Sequence, residues 1–129
     1  MNKYKIVAIM GKAGAGKDTL LKECLALDPN TLHEIISCTT RPPREGEVEG
    51  VNYYYLTEKE FMERLADDRM LEATEFRKWY YGTSIEALNQ EKINIGVFNP
   101  AGVRILMSLS NVAVLPIYVT ADDKTRILR

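Results

Sequence analysis

Apolar and polar positions along this chain follow two periods, and the switches between them mark out its elements. Lys5-Ile-Val-Ala-Ile-Met10 is a continuous, largely β-branched run closed by Gly11, the pattern of a strand buried on both faces. From Lys17 to about Leu27, leucines and alanines recur at helical spacing until Asp28-Pro29-Asn30 stops them. Glu34 to Thr40 is a second β-prone stretch, and Asn52 to Leu56, with three consecutive tyrosines, is a third. Tyr54 or Tyr55 is expected in the core. Arg41-Pro-Pro-Arg-Glu-Gly46, between these stretches, is too punctuated for regular structure. Thr57 predicts the cap of a helix from Glu58 to about Asp67, with Glu60 completing a capping box. Met70 to Tyr81 reads as one or two short strands, and Ser84 as the cap of a short helix reaching about Glu91. Ile93 to Phe98 is strand-like. Asn99-Pro100 then has the form of an N-cap with proline at the first helical position, opening a helix to about Leu109. Val112 to Val119 predicts a last strand, and Thr120 the cap of a helix beginning near Ala121.

This order is strand, helix, strand, a mixed insertion, then strand, helix, strand, helix. It implies a parallel sheet with helices on its faces, an α/β architecture. A core of residues 1–36 and 91–129 is expected, with an insertion of residues 37–90 carrying its own strands and helix. A chain of 129 residues has room for one such domain. Its 17 basic and 18 acidic residues leave a formal net charge of −1, without the basic excess that a nucleic-acid or anionic-membrane surface requires. Cys24 and Cys38 make no disulfide framework, and no stretch approaches the roughly 20 apolar residues of a membrane span. A cytoplasmic location is expected, with no membrane or nucleic-acid partner, as a monomer or homodimer. His33, the single histidine, precedes a strand and is expected to be structural or exposed.

Chemistry enters at Gly11-Lys12-Ala13-Gly14-Ala15-Gly16-Lys17-Asp18-Thr19. Glycine, four residues, then Gly-Lys between a strand and a helix is the P-loop pattern. Its glycines let successive backbone N–H groups curl around phosphate oxygens, and the positive end of the following helix adds to the attraction. Lys17 brings a mobile charge to the β and γ phosphates. Residues 11–19 are therefore the expected ATP site. Asp18 stands where the pattern has a Ser or Thr hydroxyl as Mg²⁺ ligand; its carboxylate is the candidate metal ligand here, holding the ion directly or through water.

Ser37-Cys-Thr-Thr-Arg41-Pro-Pro-Arg44-Glu-Gly-Glu-Val-Glu-Gly50-Val-Asn-Tyr53, followed by Glu72, Tyr80-Tyr81-Gly82 and Thr83, resembles the GMP-binding segment of guanylate kinases. With the P-loop, the likeness runs in order and spacing over nearly the whole chain. The resemblance implies a P-loop NTPase three-layer fold with a mixed α+β insertion that binds the nucleoside monophosphate. It implies transfer of the γ-phosphoryl of ATP, with Mg²⁺, to GMP or dGMP. Ser37, Arg41, Arg44, Tyr53, Glu72, Tyr81, Thr83 and Asn99 are carried over as the GMP site, and Lys17, Arg41, Arg44 and Arg126 as the catalytic groups. The chemistry suits those roles: guanidinium groups take phosphate bidentately, tyrosine hydroxyls donate to it, and one carboxylate can accept both guanine donors.

The likeness has two departures besides Asp18. Guanylate kinases carry acidic residues near the end of the strand before Asn99, where this chain has Val97 and Asn99. Asn99 can accept from the guanine amine or simply cap the following helix. The chain also ends where the family's arginine-bearing lid begins, with Arg126 and Arg129 resembling its first arginines. The expectation is of a divergent, C-terminally truncated member that binds nucleotides but turns over poorly. The alternatives are a phage-like kinase for another (deoxy)nucleoside monophosphate, or a weakly catalytic guanylate-kinase-like binding module.

Overall fold

The computed structural model describes residues 4–12 and 14–120. Its first sheet is parallel throughout, in the order β2-β7-β1-β8, from β1 (Tyr4–Met10), β2 (Leu32–Glu34), β7 (Ile93–Val97) and β8 (Val112–Tyr118). β1 is central, and its side chains divide by the two-residue period of a strand. Ile6 and Ala8 pack with Val103 and Leu106 of α3 (Pro100–Met107), whereas Ile9 packs with Leu21 of α1 (Lys17–Leu27) and with Ile95. The two helices thus cover clusters built from alternate faces of one strand. Among the described residues β8 is an edge strand; it carries Pro116 opposite Ala8 and leaves Leu115 and Tyr118 exposed.

The second sheet is mixed, in the order β4-β3-β6-β5, from β3 (Cys38–Thr39), β4 (Tyr54–Tyr55), β5 (Met70–Phe76) and β6 (Trp79–Ser84). β3 runs parallel to β4 and antiparallel to β6, and β5 and β6 form a hairpin turning at Arg77-Lys78. α2 (Glu58–Ala66) packs on this hairpin through Phe61, whose ring stacks on Tyr80 at 5.5 Å. The capping box is formed: the Thr57 hydroxyl accepts from Glu60 N at 3.1 Å, and the Glu60 carboxylate accepts from Thr57 N at 2.8 Å. Leu71 of β5 joins the α3 cluster with Phe98, which ties the second sheet to the first.

Three local expectations are corrected. Glu34 to Thr40 is no single strand, because its backbone changes partners: Ile35 N donates to Ile95 O in the first sheet, and Ser37 O accepts from Tyr54 N in the second. Beyond Ser84 there is only a 3-10 turn, Ile85–Ala87, although Ser84 Oγ does accept from Glu86 N. Neither Tyr54 nor Tyr55 is core. Tyr54 is 41% exposed, and Tyr55 is half-buried with its hydroxyl donating to Glu47 at 2.9 Å. The helix expected from Ala121 lies outside the described residues. His33 has a structural contact, its Nε2 lying 2.9 Å from Ala87 O.

Candidate active site

The glycine-rich loop leaves β1 and enters α1 at Lys17. Gly11 is the tight point: at φ +153° a Cβ there would lie 2.6 Å from Val119 O, so only glycine lets the loop pass the end of β8. Gly16 adopts φ +95° at the N-cap of α1, where no side chain caps the helix. The helix entrance therefore keeps backbone N–H groups uncapped by side chains, beside the Lys17 ammonium.

Lys17 lines a cavity of about 450 Å³ whose opposite wall belongs to the second sheet and the loop ahead of it. That cavity gathers Gly11, Lys17, Ser37, Arg41, Arg44, Tyr53, Glu72, Tyr81 and Asn99 from the residues expected in the site. An adjoining cavity of about 500 Å³ shares Lys17, Ser37 and Tyr53, and is where Asp18 lies. Lys12, Gly14, Ala15, Gly16 and Thr19 form the loop and helix start without lining either space. Thr83 is fully buried behind the first cavity. Ala13 and Arg126 lie outside the described residues.

Arg41 is the most constrained cation. Only 7% of its side chain is exposed, and both Glu47 oxygens hold it, Oε1 accepting from Nη1 at 3.0 Å and Oε2 from Nη2 at 3.1 Å. Its Cζ lies 5.3 Å from the centroid of the Tyr53 ring, and Tyr53 and Tyr81 are 6.0 Å apart. The Glu47 hydrogen bonds push the Arg41 pKa further up, while the same contacts and the Arg44 amide hold Glu47 down at about 2. Burial raises the hydroxyl of Tyr53 above the ordinary tyrosine range.

Glu72 is the other anion in this group, on β5 and only 7% exposed. Burial pushes its carboxyl up to about 7, against the opposing effect of the Thr83 hydroxyl and amide beside it. The Thr83 hydroxyl faces Glu72 without reaching hydrogen-bond geometry, and is a buried side-chain polar atom with no partner among the described residues. Asn99 caps α3, Oδ1 accepting from Gly102 N at 2.7 Å, while its Nδ2 donates to Thr74 Oγ1 at 3.1 Å. Sequence reasoning passed over Glu47, Thr74 and Phe76, although all three border the site or hold its residues. The readable signal for Glu47 was its place three residues after Arg44 on a proline-stiffened loop.

A strand, phosphate loop and helix within a parallel sheet, facing a second sheet across a polar cavity, define a P-loop NTPase fold. Within that class the chain belongs to the guanylate kinase family, whose family model, described as Guanylate kinase, matches residues 3–126. A guanylate kinase of Prochlorococcus marinus (strain MIT 9312) is 44% identical over 95 residues, covering 74% of this chain and 50% of that protein. One from Campylobacter jejuni (strain RM1221) is 32% identical over 123 residues, covering 92% of this chain and 60% of the relative. The crystal structure of guanylate kinase from Anaplasma phagocytophilum superposes with a TM-score of 0.70 at 21% identity, over 91% of this chain and 60% of that one. The chain thus spans about half the length of the curated relatives it matches. Among the described residues no helix is long and apolar enough to cross a membrane.

Proposed function

We propose that the protein containing this chain transfers the γ-phosphoryl of ATP to GMP or dGMP by in-line displacement. One observation carries the reading: a single cavity is bordered by the P-loop lysine on one side and by Arg41, Arg44, Tyr53, Tyr81 and Glu72 on the other. Two phosphate-binding chemistries facing each other fit a donor and an acceptor better than one hydrolysed nucleotide. Phosphoryl transfer demands positioning and charge stabilisation more than covalent chemistry, and these residues supply both.

In this reading Lys17 and the amides of residues 11–19 hold the triphosphate. Arg41 and Arg44 neutralise the acceptor phosphate so that two polyanions can approach, and the Tyr53 and Tyr81 hydroxyls donate to it. Ionised Glu72 accepts the guanine N1–H and exocyclic amine, while Ser37 and Thr83 meet the O6 and N7 edge. Asn99 borders the same space, with its oxygen already engaged in the cap. Arg126 keeps its proposed catalytic role beyond the described residues.

Mg²⁺ fits as part of the nucleotide complex. Among the described residues no three His, Cys, Asp or Glu side chains converge to cage a metal. Asp18 can offer a single oxygen, as suits an ion that keeps phosphate and water ligands. Bound there, Mg²⁺ would neutralise developing phosphate charge.

The test is ADP formation from ATP and Mg²⁺ with GMP, dGMP, AMP, CMP and UMP offered in turn. Stimulation confined to the guanine nucleotides is expected. Stimulation by another base moves the specificity and ends the Glu72 assignment. Absence of ATP and GMP binding alike leaves a protein-binding module instead.

A further inference from the structure

We infer that Glu47 is a positioning residue for the acceptor phosphate, clasping one fork of the Arg41 guanidinium so that the other fork is presented to the mononucleotide. The inference rests on the GMP-binding reading above and goes beyond it by assigning a residue that need not touch the ligand.

A guanidinium has two forks of parallel N–H bonds, one from Nη1 and Nη2, the other from Nε and Nη2. Glu47 occupies the first, with Oε1 on Nη1 at 3.0 Å and Oε2 on Nη2 at 3.1 Å. The remaining Nη1 hydrogen goes to Pro42 O at 3.1 Å. Left over are Nε–H and the second Nη2–H, which together form the second fork and among the described residues meet no carboxylate, only the phenol hydroxyls of Tyr81 and Tyr53 beside them. Arg41 is 6% exposed, yet lines the cavity with Tyr53 and Tyr81. A buried cation with one fork held by a carboxylate and the other facing only neutral phenols is arranged for one more bidentate anion.

Glu47 is itself anchored. Its Oε1 also accepts from Arg44 N at 2.8 Å and from the Tyr55 hydroxyl at 2.9 Å. One carboxylate therefore fixes the orientation of Arg41 and the backbone that carries Arg44. The arrangement gives up attraction, since Glu47 offsets the charge of Arg41, and gains direction. Arg44, exposed and in no ion pair among the described residues, supplies the uncompensated charge.

The experiment compares GMP, guanosine and ATP affinities of the protein with those of Glu47→Gln and Tyr55→Phe. Glu47→Gln replaces one clasping oxygen with an amide donor. It is expected to weaken GMP binding about tenfold while guanosine and ATP change less than about twofold, because only the phosphate uses the presented fork. Tyr55→Phe loosens the clasp without removing it, and a loss of GMP affinity of about threefold is expected, again sparing guanosine. Equal losses for GMP and guanosine would reveal a merely structural role and overturn the inference. So would unchanged GMP affinity in both variants. If Glu47→Gln does not fold, as absent ATP binding would reveal, an unchanged GMP-to-guanosine ratio in Tyr55→Phe overturns it alone. Failure of the unsubstituted protein to bind GMP ends the GMP reading and this inference with it.

Discussion

Glu72 rests against the backbone of Gly102. A Cβ built on Gly102 would stand 2.5 Å from Glu72 Oε1 and 3.3 Å from Asn99 Oδ1, so the first turn of α3 is the floor beneath the carboxylate. Gly102→Ala would ordinarily stabilise a helix by up to about 1 kcal/mol. Here it must push Glu72 away, and GMP affinity is expected to fall about tenfold or more. Titrating GMP and ATP into the variant checks this; an unchanged GMP affinity would remove Glu72 from the site.

Glu72 also sets a pH dependence. Its carboxyl titrates at about 7 in the fold against an ordinary 4.5, so between those values the folded chain holds a proton that the unfolded chain has lost. Stability attributable to Glu72 is therefore complete below about 4.5 and lost as pH rises through about 7, by on the order of 3 kcal/mol. Denaturant unfolding of the protein and of Glu72→Gln across that window should show the difference. Guanosine affinity should move oppositely, rising with pH to about 7, since its donors need the ionised carboxylate. Guanosine serves here because its lack of phosphate keeps a second titration out of the curve.

Asn99 offers a coupled test. Asn99→Asp retains an N-cap oxygen and places a negative charge at a helix N-terminus, so stability should hold. The same charge beside Glu72 should lift its pKa further, shifting the midpoint of guanosine binding up by about one unit. Asn99→Ala removes the cap and should cost about 1 kcal/mol in thermal or chemical unfolding. A midpoint unmoved in Asn99→Asp would separate the two side chains electrostatically.

Thr57→Ala probes the second sheet's helix without touching nucleotide chemistry. Loss of the hydroxyl that accepts from Glu60 N should lower stability by about 1 kcal/mol. ATP and GMP affinities should stay within about twofold. A larger binding loss would mean that α2 holds the GMP wall in place.

Local chemistry was legible in the sequence wherever one segment contains its own reason. The Thr57–Glu60 box, the Asn99-Pro100 cap and the loop from Gly11 to Lys17 all involve residues within a few positions of each other. The break between Ile35 and Ser37 was not legible, because it depends on partners far along the chain, Ile95 for one side and Tyr54 for the other. A β-prone run states that it will pair, not with which sheet. Tyr54 and Tyr55 misled for a related reason: their strand is two residues long, so Tyr54 stays 41% exposed and the Tyr55 hydroxyl is taken up by Glu47, neither of which a run of aromatic residues announces. Most of the cavity wall was recognisable through resemblance, but Glu47 was hidden because a glutamate between glycines and prolines reads as solvated until its hydrogen bonds are seen.

Pro116 bears on what can pair beside β8. Among the described residues β8 is the last strand of the parallel sheet and leaves Leu115 and Tyr118 exposed, so its outer side is a template for one further strand. Proline is tolerated in such a strand only with its missing donor turned away from the inner neighbour. The outward row of donors is therefore interrupted in the middle of β8. Any further strand laid along it, from whatever source, would leave one carbonyl unanswered opposite Pro116.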